Sequence, residues 1–217
     1  MSEGLFITFE GPDGSGKTTQ IQRLKALLEE RGIEAVLTRE PGGTPIGEKI
    51  REIILDRENG EMDSLTEAFL YASSRAQHVA QVIKPALEAG KTVICDRFTD
   101  SSIVYQGYGR GLGDRVRVIN QIAVQGLEPD VTFFLKLPPQ TGKDRIKAEE
   151  QDRMELEKIE FHNEVFHGYE ELERMEPERF IAVDAARSID EVAGEIRLHM
   201  CRLLEKAESE MKTERQE

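Results

Sequence analysis

The run Phe9-Glu10-Gly11-Pro12-Asp13-Gly14-Ser15-Gly16-Lys17-Thr18-Thr19 limits this chain to very few folds. Two glycines bracket four residues, and Lys17 and Thr18 follow at the spacing of a phosphate-binding loop. An apolar stretch, Leu5 to Phe9, precedes the loop, and Ile21, Leu24, Leu27 and Leu28 follow it at helical spacing. Strand, loop and helix in that order are the context the motif requires. Glycines let the backbone curl until successive N–H groups point inward, and the helix N-terminus adds its positive dipole end. Gly11, Pro12, Asp13, Gly14, Ser15, Gly16, Lys17, Thr18 and Thr19 are thus the expected triphosphate-binding residues. Lys17 is expected to reach the β- and γ-phosphates, and Thr18 to offer its hydroxyl to Mg²⁺.

The rest of the chain alternates. Strand candidates are Leu5–Phe9, Ala35–Thr38, Thr92–Cys95, Val131–Leu135 and Phe180–Val183, all short and mostly apolar, as in a parallel sheet covered on both faces. Helix-like segments lie between them, so the expected fold is α/β, a three-layer doubly wound sheet of five parallel strands. The clearest helix spans about Leu65 to Leu87. Its apolar positions Leu65, Phe69, Ala72, Ala76, Val79, Ile83 and Leu87 follow three-and-four spacing, and Pro85 is expected to kink or close it. With 217 residues and no repeat or low-complexity linker, one domain is expected. The charged stretch 138–153 reads either as a solvated helix or as a mobile lid that carries arginines. The tail 205–217 is expected to fray.

Charge narrows the partners. The net charge of −13 has the wrong sign for a protein that grips nucleic acid through its phosphates, so phosphate ligands must be met by local arginines. Cys95 and Cys201 lack zinc or disulfide spacing. No signal peptide is read at the N-terminus, and no apolar run approaches the roughly 20 residues that span a bilayer. A cytoplasmic protein that partners with neither membrane nor nucleic acid is expected.

Two further clusters fall at strand C-terminal ends, where open α/β sheets bind ligands, and a third lies on the long helix. Arg39, in Thr38-Arg39-Glu40-Pro41-Gly42-Gly43-Thr44, suits a tight loop that presents a guanidinium to a phosphate, although a purely structural turn competes. Asp96 and Arg97 open Asp96-Arg97-Phe98-Thr99-Asp100-Ser101-Ser102. An aspartate there suits Mg²⁺ and an arginine suits an acceptor phosphate, against an ion pair that caps the next helix. Ser102, Tyr105 and Gln106 would share one helical face. On the long helix, Phe69 falls in the core register, while Phe69 with Arg75 would also make a stack-and-bond platform for a base.

Together these segments, with Tyr71-Ala72-Ser73-Ser74-Arg75-Ala76-Gln77-His78 and Tyr105-Gln106-Gly107, resemble the thymidylate kinase family over nearly the whole chain. The resemblance implies a P-loop kinase fold, transfer of a phosphoryl group from ATP to dTMP with Mg²⁺, and a homodimer. It implies that Phe69 stacks on thymine, that Arg75, Ser102 and Gln106 contact the base, and that Tyr105 lies beneath the sugar. Arg39 and Arg97 would hold the acceptor phosphate, and Asp13 would lie near the acceptor's sugar and phosphate. Thr18 and Asp96 would serve the metal, and Arg187 would border adenine.

One position departs from part of that family. Some members carry an arginine in the P-loop directly after the position of Asp13; here it is Gly14, so the sequence resembles the type that supplies arginine from the lid. The lid offers Arg145, Lys147 and Arg153. Arg145 is the first candidate for the transferring phosphate and Arg153 the second, with a bracing role as its alternative. Two rivals are weaker: a P-loop kinase for another acceptor, and a P-loop switch, which would need an Asn-Lys-x-Asp motif that the chain lacks.

Overall fold

The computed structural model describes residues 4–145 and 152–214, with side chains described through residue 205. Five strands form one parallel sheet: β1 (Phe6–Glu10), β2 (Ala35–Arg39), β3 (Thr92–Asp96), β4 (Val131–Lys136) and β5 (Phe180–Asp184), in the order β2-β3-β1-β4-β5. From β1, which feeds the P-loop, the chain crosses to the edge strand β2, returns to β3 beside β1, and then continues on the other side of β1 through β4 to β5. All strand C-termini therefore share one edge. Each strand ends one residue later than its apolar run suggests, and that residue is polar each time: Glu10, Arg39, Asp96, Lys136 and Asp184. The last ladder position stays in the sheet while its side chain serves the edge.

Alternation along β1 divides the core. Ile7 and Phe9 pack with Leu24 and Leu28 of α1 (Lys17–Glu30) and with Ile196 and Met200 of α9 (Ile189–Glu214). Phe6, Thr8 and Glu10 point to the opposite face. There Phe134 stacks on Tyr169 of α8 (Ile159–Met175) at 4.7 Å between centroids, and the buried hydroxyls of Thr8 and Thr132 meet at 2.7 Å. Burying Phe134 completely contributes about 1.5–3 kcal/mol. α9 continues past Leu204, where sequence alone suggests fraying, to Glu214. Lys147, with the rest of 146–151 in the charged lid run, lies outside the described residues.

Two helical segments depart from regular winding. The expected helix over Leu65–Leu87 is instead α3 (Ser64–His78), a wide π-type segment at Val79–Ile83 and α4 (Lys84–Glu88). Pro85 has no N–H, and in a regular helix its ring would press on the carbonyl four residues back; the wide segment directly before α4 relieves that conflict. The second departure follows β3, where α5 (Thr99–Ser102) runs into a wide segment at Ile103–Gly109. Wider winding aligns residues four and five apart, so Tyr105 and Gln106 line up with Ser101 rather than with Ser102.

The remaining helices frame the site edge. α2 (Pro45–Leu55) starts at Thr44, whose side chain accepts from Gly47 N, and packs against α3. α6 (Arg115–Val124) packs on the other side of α3, and α7 (Pro139–Lys143) follows β4.

Candidate active site

The P-loop closes on itself and opens α1. Lys17 Nζ donates to the carbonyls of Gly11 (3.0 Å) and Pro12 (3.2 Å) and lies 3.5 Å from Asp13 Oδ1. Asp13, Gly14, Gly16, Lys17 and Thr18 line a groove with Arg39, Arg51, Asp96 and Arg97. Asp96 pairs in register with Arg39 on one side and Phe9 on the other, which sets it beside the loop. Its Oδ1 is buried and has no hydrogen-bond partner among the described residues. A buried carboxylate oxygen left bare on a groove that Thr18 also lines fits a hard divalent cation that takes its other ligands from phosphate and water. Arg187 is placed elsewhere: it pairs with Glu195 and lines an open hollow with Lys136 and Pro138 at the end of β5.

A second cavity adjoins this groove. Pro41, Arg51, Leu55, Tyr71, Arg75, Phe98, Ser101, Tyr105, Gln106 and Met154 line it. The Glu40–Pro41 bond is cis. Arg75 is almost fully buried. Its Nε donates to Glu40 Oε2 (2.7 Å), Nη1 to Ser102 Oγ (3.0 Å) and to Asn120 Oδ1, and Nη2 to the Phe98 carbonyl (2.9 Å). These bonds use four of its five N–H groups and leave one for a ligand. Ser102 therefore braces Arg75 from behind, and Ser101 is the serine on the cavity wall.

Phe69 requires correction. It is 53% exposed and lines neither cavity. The aromatic wall is Tyr71, two residues on, which lies one full turn before Arg75 and so shares its face. Burial and the nearby Glu67 push the Tyr71 phenol well above its usual range, so it stays neutral. The i,i+4 spacing of Tyr71 to Arg75 was the signal available in the sequence; the six-residue spacing of Phe69 was not.

Asp13 and Arg97 line both cavities, and they touch: Arg97 Nη2 donates to Asp13 Oδ1 at 2.8 Å. Lost hydration opposes ionisation of Asp13, but the charges of Arg97 and Lys17 prevail and hold its carboxyl well below the usual carboxylate range. Arg97 has φ +68, a left-handed conformation that disfavours a branched or long side chain, and its guanidinium lies 5.2 Å over the Tyr105 ring. Beneath it, Glu10 accepts from Phe98 N, Ser101 N, Ser101 Oγ and the Tyr169 hydroxyl. Sequence reasoning also missed Arg51, which lines both cavities and donates to the Pro41 carbonyl (3.1 Å). Burial and the charge of nearby Arg39 push the Arg51 guanidinium downward. Arg39 itself is paired with Glu48 (2.9 Å). Arg39, Arg51 and Arg97 on one groove make a place where an anion relieves repulsion.

The two lid arginines separate. Arg145 Nη1 donates to the Gly14 carbonyl at 3.0 Å, which puts it on the P-loop. Gly14, at φ +78, sits so close to α7 that a Cβ on it would lie 2.6 Å from the Gly142 carbonyl. Arg153, the other lid candidate, is buried away from the groove. Its Nε donates to the Ile54 carbonyl (2.7 Å) and its Nη2 to Glu67 Oε2 (2.6 Å). It lines neither cavity, so it braces the lid base against α2 and α3 and does not reach a phosphate.

A family model described as thymidylate kinase matches residues 9–196. The chain belongs to the thymidylate kinase family. It is 49% identical over 197 residues to the thymidylate kinase of Bacillus pumilus, a match that covers 89% of this chain and 93% of that one. It is 51% identical over 197 residues to the thymidylate kinase of Lactobacillus delbrueckii subsp. bulgaricus, covering 88% and 93%. The crystal structure of thymidylate kinase from Ehrlichia chaffeensis superposes with a TM-score of 0.75 at 35% identity, covering 91% of this chain and 98% of that one. Within the thymidylate kinase fold, then, the two adjoining cavities of this chain meet at Asp13 and Arg97.

Removing the brace tests its separation from the chemistry. Arg153→Met leaves Glu67 buried with less compensation, and a stability loss of about 2–4 kcal/mol is expected in a denaturant titration. Turnover by the folded variant should fall by less than about tenfold. A larger fall at unchanged stability would return Arg153 to the phosphate.

Proposed function

We propose that this enzyme transfers the γ-phosphoryl group of ATP to dTMP through the two cavities that meet at Asp13 and Arg97. The family assignment carries the dTMP kinase activity, with ATP as donor, and marks the chain as a nucleoside monophosphate kinase. The observation that supports the site reading is the shared Asp13–Arg97 contact, which lets a donor phosphate in one cavity face an acceptor in the other.

In this reading the P-loop amides and Lys17 hold the β- and γ-phosphates of ATP. Thr18 and Asp96 hold Mg²⁺, which supplies charge neutralisation on the phosphates when bound. Among the described residues no cluster of three or more acidic, histidine or cysteine side chains is built for a metal, consistent with an ion carried largely by nucleotide and water. Arg39, Arg51 and Arg97 take the dTMP phosphate, the ring of Tyr71 stacks on the base, and Arg75 and Gln106 bond its edge. Tyr105 lies beneath the sugar, and Asp13 orients Arg97. Arg145 donates to the transferring group, a role that Gly14 leaves open for it. Phosphoryl transfer asks for alignment and charge neutralisation rather than covalent chemistry from the protein, so no general base is assigned.

A coupled ADP-release assay with ATP and a panel of nucleoside monophosphates tests the reaction. Turnover is expected with dTMP above all others; no response to dTMP together with turnover of another acceptor would overturn it. Two variants test the donor side. Lys17→Ala is expected to lower kcat by about 10³-fold and Arg145→Ala by about 10²-fold or more, with both proteins folded by circular dichroism. A full-rate Arg145→Ala enzyme would remove that residue from the transition state.

We also infer a homodimer, as the family resemblance implies. Ile46 and Ile53 on α2, Leu65 and Phe69 on α3, and Val118 and Ile122 on α6 are exposed on three helices packed side by side. Ile122, at 77% exposure, stands outermost, whereas Val124 of the same helix is buried in the core. Six large apolar side chains across adjoining helices form a face that a second copy would cover. Sedimentation velocity should give a dimer for the wild type and a monomer for Ile122→Glu; a monomeric wild type would overturn the inference. No helix among the described residues is long and apolar enough to cross a membrane. Both Cys95 and Cys201 are free thiols, which supports a reducing, cytoplasmic setting.

A further inference from the structure

Gln106 carries an amide whose two ends are distinguished by its neighbour. Its Nε2 lies 2.9 Å from Glu67 Oε1, and Glu67 is fully buried. Glu67 also accepts from Arg110 Nε (3.2 Å) and Nη2 (3.0 Å) and from Arg153 Nη2 (2.6 Å). Burial alone would raise its pKa, but the hydrogen bonds from Arg110 and Gln106 outweigh burial and hold it below the usual value. Glu67 is therefore a carboxylate, which has lone pairs to offer and no hydrogen to give. The amide end that faces it must be the NH₂ group. The oxygen, Oε1, is left buried on the cavity wall with no partner among the described residues.

The cavity consequently shows a base one fixed pattern. Gln106 presents an acceptor, and Arg75, with four of its five N–H groups committed, presents a donor. A pyrimidine with a 4-oxo group and an N3–H complements that pattern. A 4-amino pyrimidine inverts it, with an acceptor at N3 and a donor at the exocyclic group. An unanchored glutamine would meet the inverted edge by rotating its amide through half a turn, which costs little when neither end has a fixed partner. Rotation here would turn Oε1 toward the Glu67 carboxylate and set two acceptors against each other.

We propose that Glu67, which touches no substrate, is the positioning residue that makes this kinase choose an oxo over an amino pyrimidine, by fixing which end of the Gln106 amide meets the base. The proposal rests on the reading of the second cavity as the base pocket. Arg110, with two hydrogen bonds, is the main partner that keeps Glu67 ionised, and Glu67 in turn ties the lid base at Arg153 to the base-reading side chain.

The test compares kcat/KM for dTMP and dCMP. In Glu67→Gln, the new amide either donates or accepts, so Gln106 is released to turn. The dTMP-to-dCMP ratio is expected to fall at least about tenfold, chiefly through a lower KM for dCMP and a higher KM for dTMP. In a Gln106→Leu background the same change at Glu67 should leave the ratio unmoved, because no amide remains to orient. Arg153→Met, which weakens the same cluster without freeing the amide, should keep the wild-type ratio within about twofold. A folded Glu67→Gln enzyme with the wild-type ratio would overturn the proposal, as would an equal shift in Arg153→Met. Should Glu67→Gln fail to fold, N3-methyl-dTMP and the wild-type enzyme decide the matter. That analogue lacks the N3 hydrogen and should bind at least about 100-fold more weakly than dTMP; equal binding overturns the acceptor orientation. A wild-type enzyme that ignores dTMP and phosphorylates another monophosphate would overturn the base-pocket reading itself, and the proposal with it.

Discussion

The contact between Asp13 and Arg97 joins the two halves of this molecule. Asp13 belongs to the loop that β1 feeds, and Arg97 to the loop after β3, the strand beside it in the sheet. Parallel pairing brings both loops to one edge, but it does not align the side chains. That is left to a left-handed backbone at Arg97 and to Glu10, which anchors Phe98 and Ser101 from below. The strain of that conformation, on the order of 1–3 kcal/mol, persists because the surrounding hydrogen bonds over-determine it.

The charge arithmetic at the edge follows from the same arrangement. An acidic protein gathers Arg39, Arg51 and Arg97 on one groove, where Asp13 and Glu48 offset two of them. Among the described residues Arg51 donates to the Pro41 carbonyl and sits beside Arg39, where burial and that neighbouring charge disfavour its own. In the proposed reading, affinity for a phosphate dianion arises from local crowding of guanidinium groups and not from the field of the whole molecule.

Much of this was legible in the sequence, and the failures have definite physical causes. The P-loop, the five strands and the arginines at strand ends carry their signals in adjacent residues, where spacing dictates geometry. Phe69 misled because the apolar stripe of α3 faces outward at its first turns, toward solvent and not the core, and apolar periodicity does not say which apolar surface it meets. Ser102 misled because regular helical winding was assumed across a wide turn. Arg153 and Glu67 carry no local signal at all: their pairing crosses 86 residues of chain, and only the fold brings them together. Arg51 was hidden for a similar reason, as one basic residue on an amphipathic helix until α2 is laid along the cavity.

The close approach of Gly14 to Gly142 makes two distant positions depend on each other. Each position rejects a β-carbon because of the other's loop: one on Gly14 would strike the Gly142 carbonyl, and one on Gly142 would strike the Asp13 carbonyl, both at 2.6 Å. An arginine introduced at position 14 would displace the segment that delivers Arg145, so the old cation would be lost as the new one arrived. In this backbone, an arginine side chain at position 14 and the present packing of α7 on the P-loop therefore exclude each other. Room for a side chain there requires α7 and the P-loop to shift together.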